Sequence, residues 1–232
     1  MEYLLLQVLN GVQLGLLMFL LAAGLTLTLG IMDLVNLAHG SLYMMGAYIA
    51  WTLIGVTDSF VLGALLALPA TFLLGVVVEA VVIRKLYARD HLTQVLATFG
   101  LILFFNELVR ALWGPAGKSI AVPPFLNRTI EILPGVPYPA YRFAIIVVGA
   151  LVAILLAWLV ARTRLGMLIR AGASNRRMIG ALGVNIELLF SLVFGLGAVF
   201  AGLAGLMSAP IASVRIGMGD DILILALVII VI

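Results

Sequence analysis

The sequence predicts an all-α fold, a polytopic integral membrane helical bundle, on three observations. Hydrophobic residues fill 65% of the 232 positions and charged residues only 10%, against about 45–50% and about 25% in an ordinary soluble domain. The 13 Lys and Arg and 10 Asp and Glu are bunched between uncharged stretches, several of the length that an α-helix needs to cross about 30 Å of hydrocarbon. Those stretches are uniformly apolar, whereas the strands of a transmembrane barrel alternate in polarity over about ten residues. A soluble enzyme is excluded by this composition, and strands are not expected across the bundle.

Taken in order, the first stretch covers about Leu4 to Ile31. Glu2 stands where a signal peptide would carry basic residues, and the apolar run is too long for a signal h-region, so it reads as a retained span. The second stretch lies between Asp33 and Asp58 and is uncharged but holds Asn36, His39 and Ser41. The third, Phe60 to Ile83, contains Pro69 and Glu79, and the fourth, Leu92 to about Trp113, includes Glu107 and Arg110 near one interface. The fifth runs from Phe143 to Ala161 and the sixth from Leu188 to about Met207. The last starts at Ile222 and stops at Ile232, about 16 Å of helix or half a bilayer core, so it is expected to continue beyond this chain.

Basic residues assign the sides, because Lys and Arg are retained in the cytoplasm. Arg84, Lys85 and Arg89 form one cluster, and Arg162, Arg164, Arg170, Arg176 and Arg177 another, with two spans between them. Both are expected on the cytoplasmic face. The segment 114–141, with Pro115, Pro123, Pro124, Pro134, Pro137 and Pro139, then lies outside, in extended connections. Counting back puts the N-terminus outside, unless the second stretch is broken or re-entrant.

The small polar inventory narrows function. Without Cys, disulfides and thiolate chemistry are excluded, and two histidines 52 positions apart make no metal site. A pI of about 9.5 arises without basic runs interleaved with aromatics, so nucleic acid is not an expected partner. No nucleotide-binding loop or nucleophile with its base stands out. Glu79 with Arg84, and Glu107 with Arg110, are expected to form ion pairs near opposite interfaces. Asp220 and Asp221 mark the outer end of the last span.

Two segments carry the candidate sites. Asn36, His39 and Tyr43 fall at i, i+3 and i+7, and with Ser41 they would line a path for a polar solute or bond across to Thr26 and Thr28. The cytoplasmic loop 162–187 combines five Arg with glycines at 166, 172, 180 and 183 and with Met167, Ile169, Met178, Ile179 and Leu182. That pattern predicts short amphipathic helices suited to docking on a partner. In the sixth stretch, Ala198/Gly202 and Ala201/Gly205 have the small-xxx-small spacing of close helix packing.

Gly24 to Ala50, with N-L-A-H-G at 36–40, Tyr43 and G-A-Y at 46–48, resembles the N-terminal signature of bacterial branched-chain amino acid ABC permeases of the LivH and LivM kind. A second match is R-T-R-L-G at 162–166, leading through Arg170, Ala171, Asn175 and Arg176 to A-L-G-V-N at 181–185. The resemblance implies a single permease domain over 1–232, multi-pass in the bacterial inner membrane and cut inside its last span. It implies a homologous second permease subunit, cytoplasmic ATP-binding subunits and an extracytoplasmic substrate-binding protein. No cofactor is then expected on this chain, since the partner ATPase uses ATP and Mg. In this picture 162–187 holds the coupling helix, and Arg170, Ala173, Ser174, Asn175, Arg176 and Arg177 contact the ATPase. Permeases for urea or short amides share the N-terminal motif and stay open as an alternative. A self-contained channel or ion-coupled carrier would be expected to show intramembrane acids or matching broken helices in two halves, and no internal repeat is evident.

Overall fold

The structure is a computed structural model that describes residues 2–133 and 136–231; Pro134 of the outer loop and Ile232 lie outside the described residues. The uncharged stretches become α1 (Glu2–Met32), α2 (His39–Thr57), α3 (Phe60–Val81), α4 (His91–Trp113), α5 (Ala140–Arg162), α7 (Ile186–Ala212) and α8 (Met218–Val231). Helix α6 (Arg164–Ala181) forms from the Arg-rich loop, and a short 3-10 turn, Ile83–Leu86, follows α3. Four helix starts have a local cause. Ser59, Asp90, Thr163 and Asn185 each accept a bond from a first-turn backbone N–H of the helix they precede, satisfying donors that a helix start leaves free. Pro69 stays inside an unbroken α3.

Among the described residues, five helices are long and apolar enough to cross a membrane: Tyr3–Met32, Phe60–Leu86, His91–Trp113, Ala140–Arg162 and Ile186–Ala212. The second stretch differs from a plain span. Residues 33–36 are irregular, 37–38 turn, and α2 begins only at His39. Its first side chain reaches the carbonyl of Leu21, which lies 11 residues before the end of α1, about 16 Å along that helix. The chain therefore turns back into the bundle before α2 starts.

Helix α7 forms the centre, packed on α1, α2 and α3. Its small residues permit this: a Cβ on Gly46 of α2 would strike the backbone of Gly202, one on Gly205 the carbonyl of Tyr43, and one on Gly75 of α3 would stand 2.5 Å from Ala198 Cβ. The small-xxx-small positions are thus buried at close backbone contacts. Outward, α3, α4 and α5 expose Leu65, Leu73, Val77, Leu103, Phe104, Leu151 and Ile154, a face suited to lipid. Buried threonines return their hydroxyls to their own helices, as with Thr28 to Leu25, Thr71 to Ala67 and Thr98 to Gln94, which leaves none of these donors unsatisfied in an apolar setting. Thr26 likewise bonds Ala22, not the second segment.

Contacts group the charged segments by the end of the bundle they occupy. Arg84 bonds Glu187 beside the second basic cluster, so both clusters share one face. Asn10, near the start of α1, accepts from Arg142 and Tyr138, so the N-terminal end sits with the 114–141 segment. That segment holds the described strands, β1 (Thr129–Leu133) and β2 (Val136–Pro139), in an antiparallel hairpin with Thr129 opposite Pro139. It is a local departure from an all-helical chain, outside the bundle.

Candidate functional site

Two places carry the polar chemistry, the start of α2 inside the bundle and the end of the bundle where α1, α3, α6 and α7 bring the two basic clusters together. At the first, Asn36 is not on a helical face with His39 and Tyr43, because it precedes the helix. Its Oδ1 accepts from the backbone N–H of Ala38 at 3.0 Å, an Asx turn that sets up the entry to α2. His39 Nε2 lies 3.2 Å from the Leu21 carbonyl. A carbonyl only accepts, so Nε2 carries the proton and Nδ1 presents a lone pair. Asn36, His39 and Ser41 are each 1% exposed or less, yet Asn36 Nδ2, His39 Nδ1 and Ser41 Oγ have no hydrogen-bond partner among the described residues. Such orphaned groups are costly in a dry interior. Tyr43 is also buried, with its hydroxyl beside Ser208.

Space around this point is tight. A Cβ on Gly24 of α1 would meet the Gly197 carbonyl at 2.7 Å and His39 Nε2 at 3.0 Å. Gly40 and Gly219 touch backbone to backbone, so neither tolerates a Cβ without movement. The N-terminal ends of α2 and α8 therefore meet inside the bundle, a juxtaposition that sequence reasoning missed.

At the end of the bundle that carries the basic clusters, Glu79 is fully buried and ion-paired. Its carboxylate accepts from Arg84 Nε at 3.2 Å and Arg84 Nη2 at 3.0 Å, from the Tyr87 hydroxyl at 2.6 Å and from the Ser191 hydroxyl at 2.6 Å. Arg84 also donates to Glu187 at 3.1 Å. The expected Glu79–Arg84 pair is thus the centre of a network that ties the end of α3 to the first turns of α7. Burial and the neighbouring Glu79 carboxylate push the Tyr87 phenol up, which keeps it a donor. Tyr87 and Ser191 were missed by sequence reasoning, since nothing in their spacing links them to Glu79. The Glu107–Arg110 pair forms as expected, at 2.6 Å on the exposed face of α4.

The Arg-rich loop folds as α6, which packs on α5, α1 and α7. Gly166, Ile169, Gly172 and Ile179 are buried, while Met167, Arg170, Ala173, Ser174, Asn175, Arg177 and Met178 are exposed. The helix is two pieces joined at Asn175, whose backbone is extended (φ −155°, ψ 91°) and whose Oδ1 accepts from Met178 N–H at 3.0 Å, capping the second piece. Arg176 differs from its neighbours. It donates to the Met32 carbonyl at 3.4 Å and lies 3.7 Å from Asp33, so it anchors α6 to the end of α1, where a cation suits the helix dipole.

The chain matches the family model described as branched-chain amino acid transport system / permease component over residues 7–232. It is 31% identical over 214 residues to the high-affinity branched-chain amino acid transport system permease protein BraD of Pseudomonas aeruginosa, covering 87% of this chain and 69% of that protein. It is 28% identical to LivH of Escherichia coli K12 over 218 residues, 88% of this chain and 70% of that protein. The probable permease LivH of Methanocaldococcus jannaschii is 28% identical over 222 residues, 90% and 67% of the respective chains. No solved structure matches.

Proposed function

This chain belongs to the family of branched-chain amino acid transport permease components, and on that premise we propose that it is a membrane subunit of an ATP-driven importer for branched-chain or related hydrophobic amino acids, working by alternating access. The observation that carries this reading is α6. It is a kinked amphipathic helix held by one face against the cytoplasmic ends of the bundle, with Met167, Arg170, Ala173, Ser174 and Arg177 turned outward. A short helix of this kind fits a groove on a partner. In the proposed assembly that partner is a cytoplasmic ATP-binding subunit, which binds ATP and Mg. A second permease subunit and an extracytoplasmic substrate-binding protein complete the importer in the bacterial inner membrane.

Closure of the ATP-binding subunits would move α6, and its ties to Met32, Asp33 and the start of α7 would pass that movement to α1 and α7. Substrate then needs different affinities in the two states of the path. Asn36, His39, Ser41 and Tyr43 are the proposed polar contacts along it. The test is reconstitution of the full complex, measuring ATP hydrolysis with the binding protein loaded by leucine, by urea or by nothing. Stimulation by leucine supports the reading, and stimulation by urea alone replaces it with an amide importer. Arg170→Ala with Arg177→Ala should cut co-purification of the ATP-binding subunit at least about tenfold, two lost charge contacts being sufficient for that. Unchanged co-purification and uptake would refute the docking role of α6.

A further inference from the structure

Beyond the α2 start lies a cavity of about 210 Å³ between the outer end of α7, the start of α8 and Tyr43. Its lining is mixed. Tyr43 and Ser208 contribute polar residues, as do Arg215 and Asp221, whose Nη2 and Oδ2 are paired at 2.6 Å. Met218, Ile222 and Leu225 contribute apolar surface. We propose that this cavity is the permease's own binding site for a zwitterionic aliphatic amino acid, with Arg215 receiving the carboxylate, Asp221 the ammonium group, and the apolar surface the side chain. This assignment rests on the importer reading above.

Four observations support it. The size suits one amino acid: the volume corresponds to about seven waters at liquid density, comparable to the nine non-hydrogen atoms of leucine. The chemistry is matched, because a zwitterion exchanges one ion pair for two, whereas urea offers no charge to either partner. The location is polar: Arg215 and Asp221, at the end of the bundle where Val214 pairs with Lys118, are 61% and 66% exposed, so the pair is open to water and a charged ligand can compete for each partner. Finally, the wall is strained. Ser213, which lines the cavity, holds φ 51° and ψ 147°, a region that side chains avoid and that persists where surrounding structure enforces it. Here the enforcement is visible in the two-way backbone pairing of Val214 with Lys118, both bonds 2.8 Å, while the Lys118 ammonium stands 5.1 Å over the Trp51 ring.

The cavity adjoins the contact between the starts of α2 and α8. Met218 lines it, and the next residue, Gly219, rests on Gly40, flanked by His39 and Ser41 with their unpartnered Nδ1 and Oγ. A solute leaving the cavity by parting Gly40 from Gly219 would meet those groups next.

These 232 residues hold no Cys, so labelling of an introduced thiol is read as the difference from the parent complex. In the intact transporter reconstituted with its ATP-binding subunits and binding protein, L225C and, separately, I222C are reacted with a membrane-impermeant methanethiosulfonate. L-leucine is expected to slow the modification at least about fivefold and urea to leave it unchanged. V61C, in a different outer cavity beside Pro123 and Phe125, is expected to show no protection. Adding R215Q should raise the leucine concentration for half-protection at least about tenfold, without shifting that for leucinamide, which lacks the carboxylate. Intact ATP-driven leucine uptake with no protection at either thiol overturns the site and leaves the importer reading standing. Protection by leucine without ATP-driven uptake does the reverse, and loss of both removes both. An equal shift for leucine and leucinamide in R215Q would show Arg215 to be only a structural partner of Asp221.

Discussion

The network around Glu79 makes the most quantitative prediction. Replacing Glu79 by Gln keeps the shape and removes the charge. One Oε becomes an amide N–H₂, which faces the Arg84 guanidinium or the Tyr87 and Ser191 hydroxyls where a carboxylate accepted from all of them. Removing one partner of a buried ion pair costs about 3–5 kcal/mol. Arg84 is 35% exposed, so water replaces part of what Glu79 supplied and the lower end, about 3 kcal/mol, is expected. For a chain of this size 1 kcal/mol moves the midpoint by about 2–4 °C, which puts the loss at about 6–12 °C. The assay is thermal unfolding of the purified protein in detergent. S191A is the internal comparison. It deletes one hydroxyl bonded to a carboxylate, worth about 1.5 kcal/mol at the low end for a charged partner, and should shift the midpoint by only about 3–6 °C. If E79Q unfolds within about 2 °C of the parent, or no lower than S191A, the network does not hold α3 to α7 as argued.

Two further predictions concern helix contacts and ends. G46A should destabilise the bundle by about 1–3 kcal/mol through overpacking against Gly202, whereas G11A, where a Cβ meets nothing within 4 Å, should be neutral or slightly stabilising by the same thermal assay. Asp90 accepts from the Thr93 hydroxyl and backbone N–H, and these bonds hold its carboxyl below its ordinary value of 3.8. A depressed carboxyl stabilises the fold fully above its unfolded pKa and loses that contribution as pH falls through the folded one. The advantage of the parent over D90A should therefore be constant at neutral pH and shrink only below about pH 3.8 in a pH series of unfolding midpoints; an advantage that shrinks already near neutrality would contradict the cap.

Much of the fold was legible because lipid imposes one rule on the sequence. Every backbone group must be satisfied inside its own helix, so long apolar runs, with charges only toward the ends of α3 and α4, mark α1, α3, α4, α5 and α7 within a few residues. The same rule misread the segment between Asp33 and Asp58. Its lack of charge satisfies a length criterion, but the Asx turn at Asn36 starts the helix three residues later, at His39. The Asn-Leu-Ala-His-Gly string held that signal, since Asn is a turn former and Gly40 permits close approach. In the Arg-rich loop, periodicity identified an amphipathic helix, but charge alone could not separate Arg176, turned toward Asp33, from the exposed Arg170 and Arg177.

The candidate path was less legible for a different reason. Its geometry depends on which helices meet, and that information lies in small residues far apart in sequence. Gly40 and Gly219 are in contact across 179 positions, and neither stands in a pattern that names the other. What brings them together is the train of close approaches along α7: Gly197 on Gly24, Gly202 on Gly46, Gly205 on Tyr43. Each sets α7 against α1 or α2 at backbone distance, and the 213–217 turn, pinned through Val214 to Lys118, then returns α8 toward the start of α2. Polar side chains at that junction are left without protein partners because the helices there approach through glycine backbone, which offers few side-chain groups to answer them. The same close packing that buries Asn36, His39 and Ser41 thus supplies backbone where their Nδ2, Nδ1 and Oγ atoms would need side-chain partners.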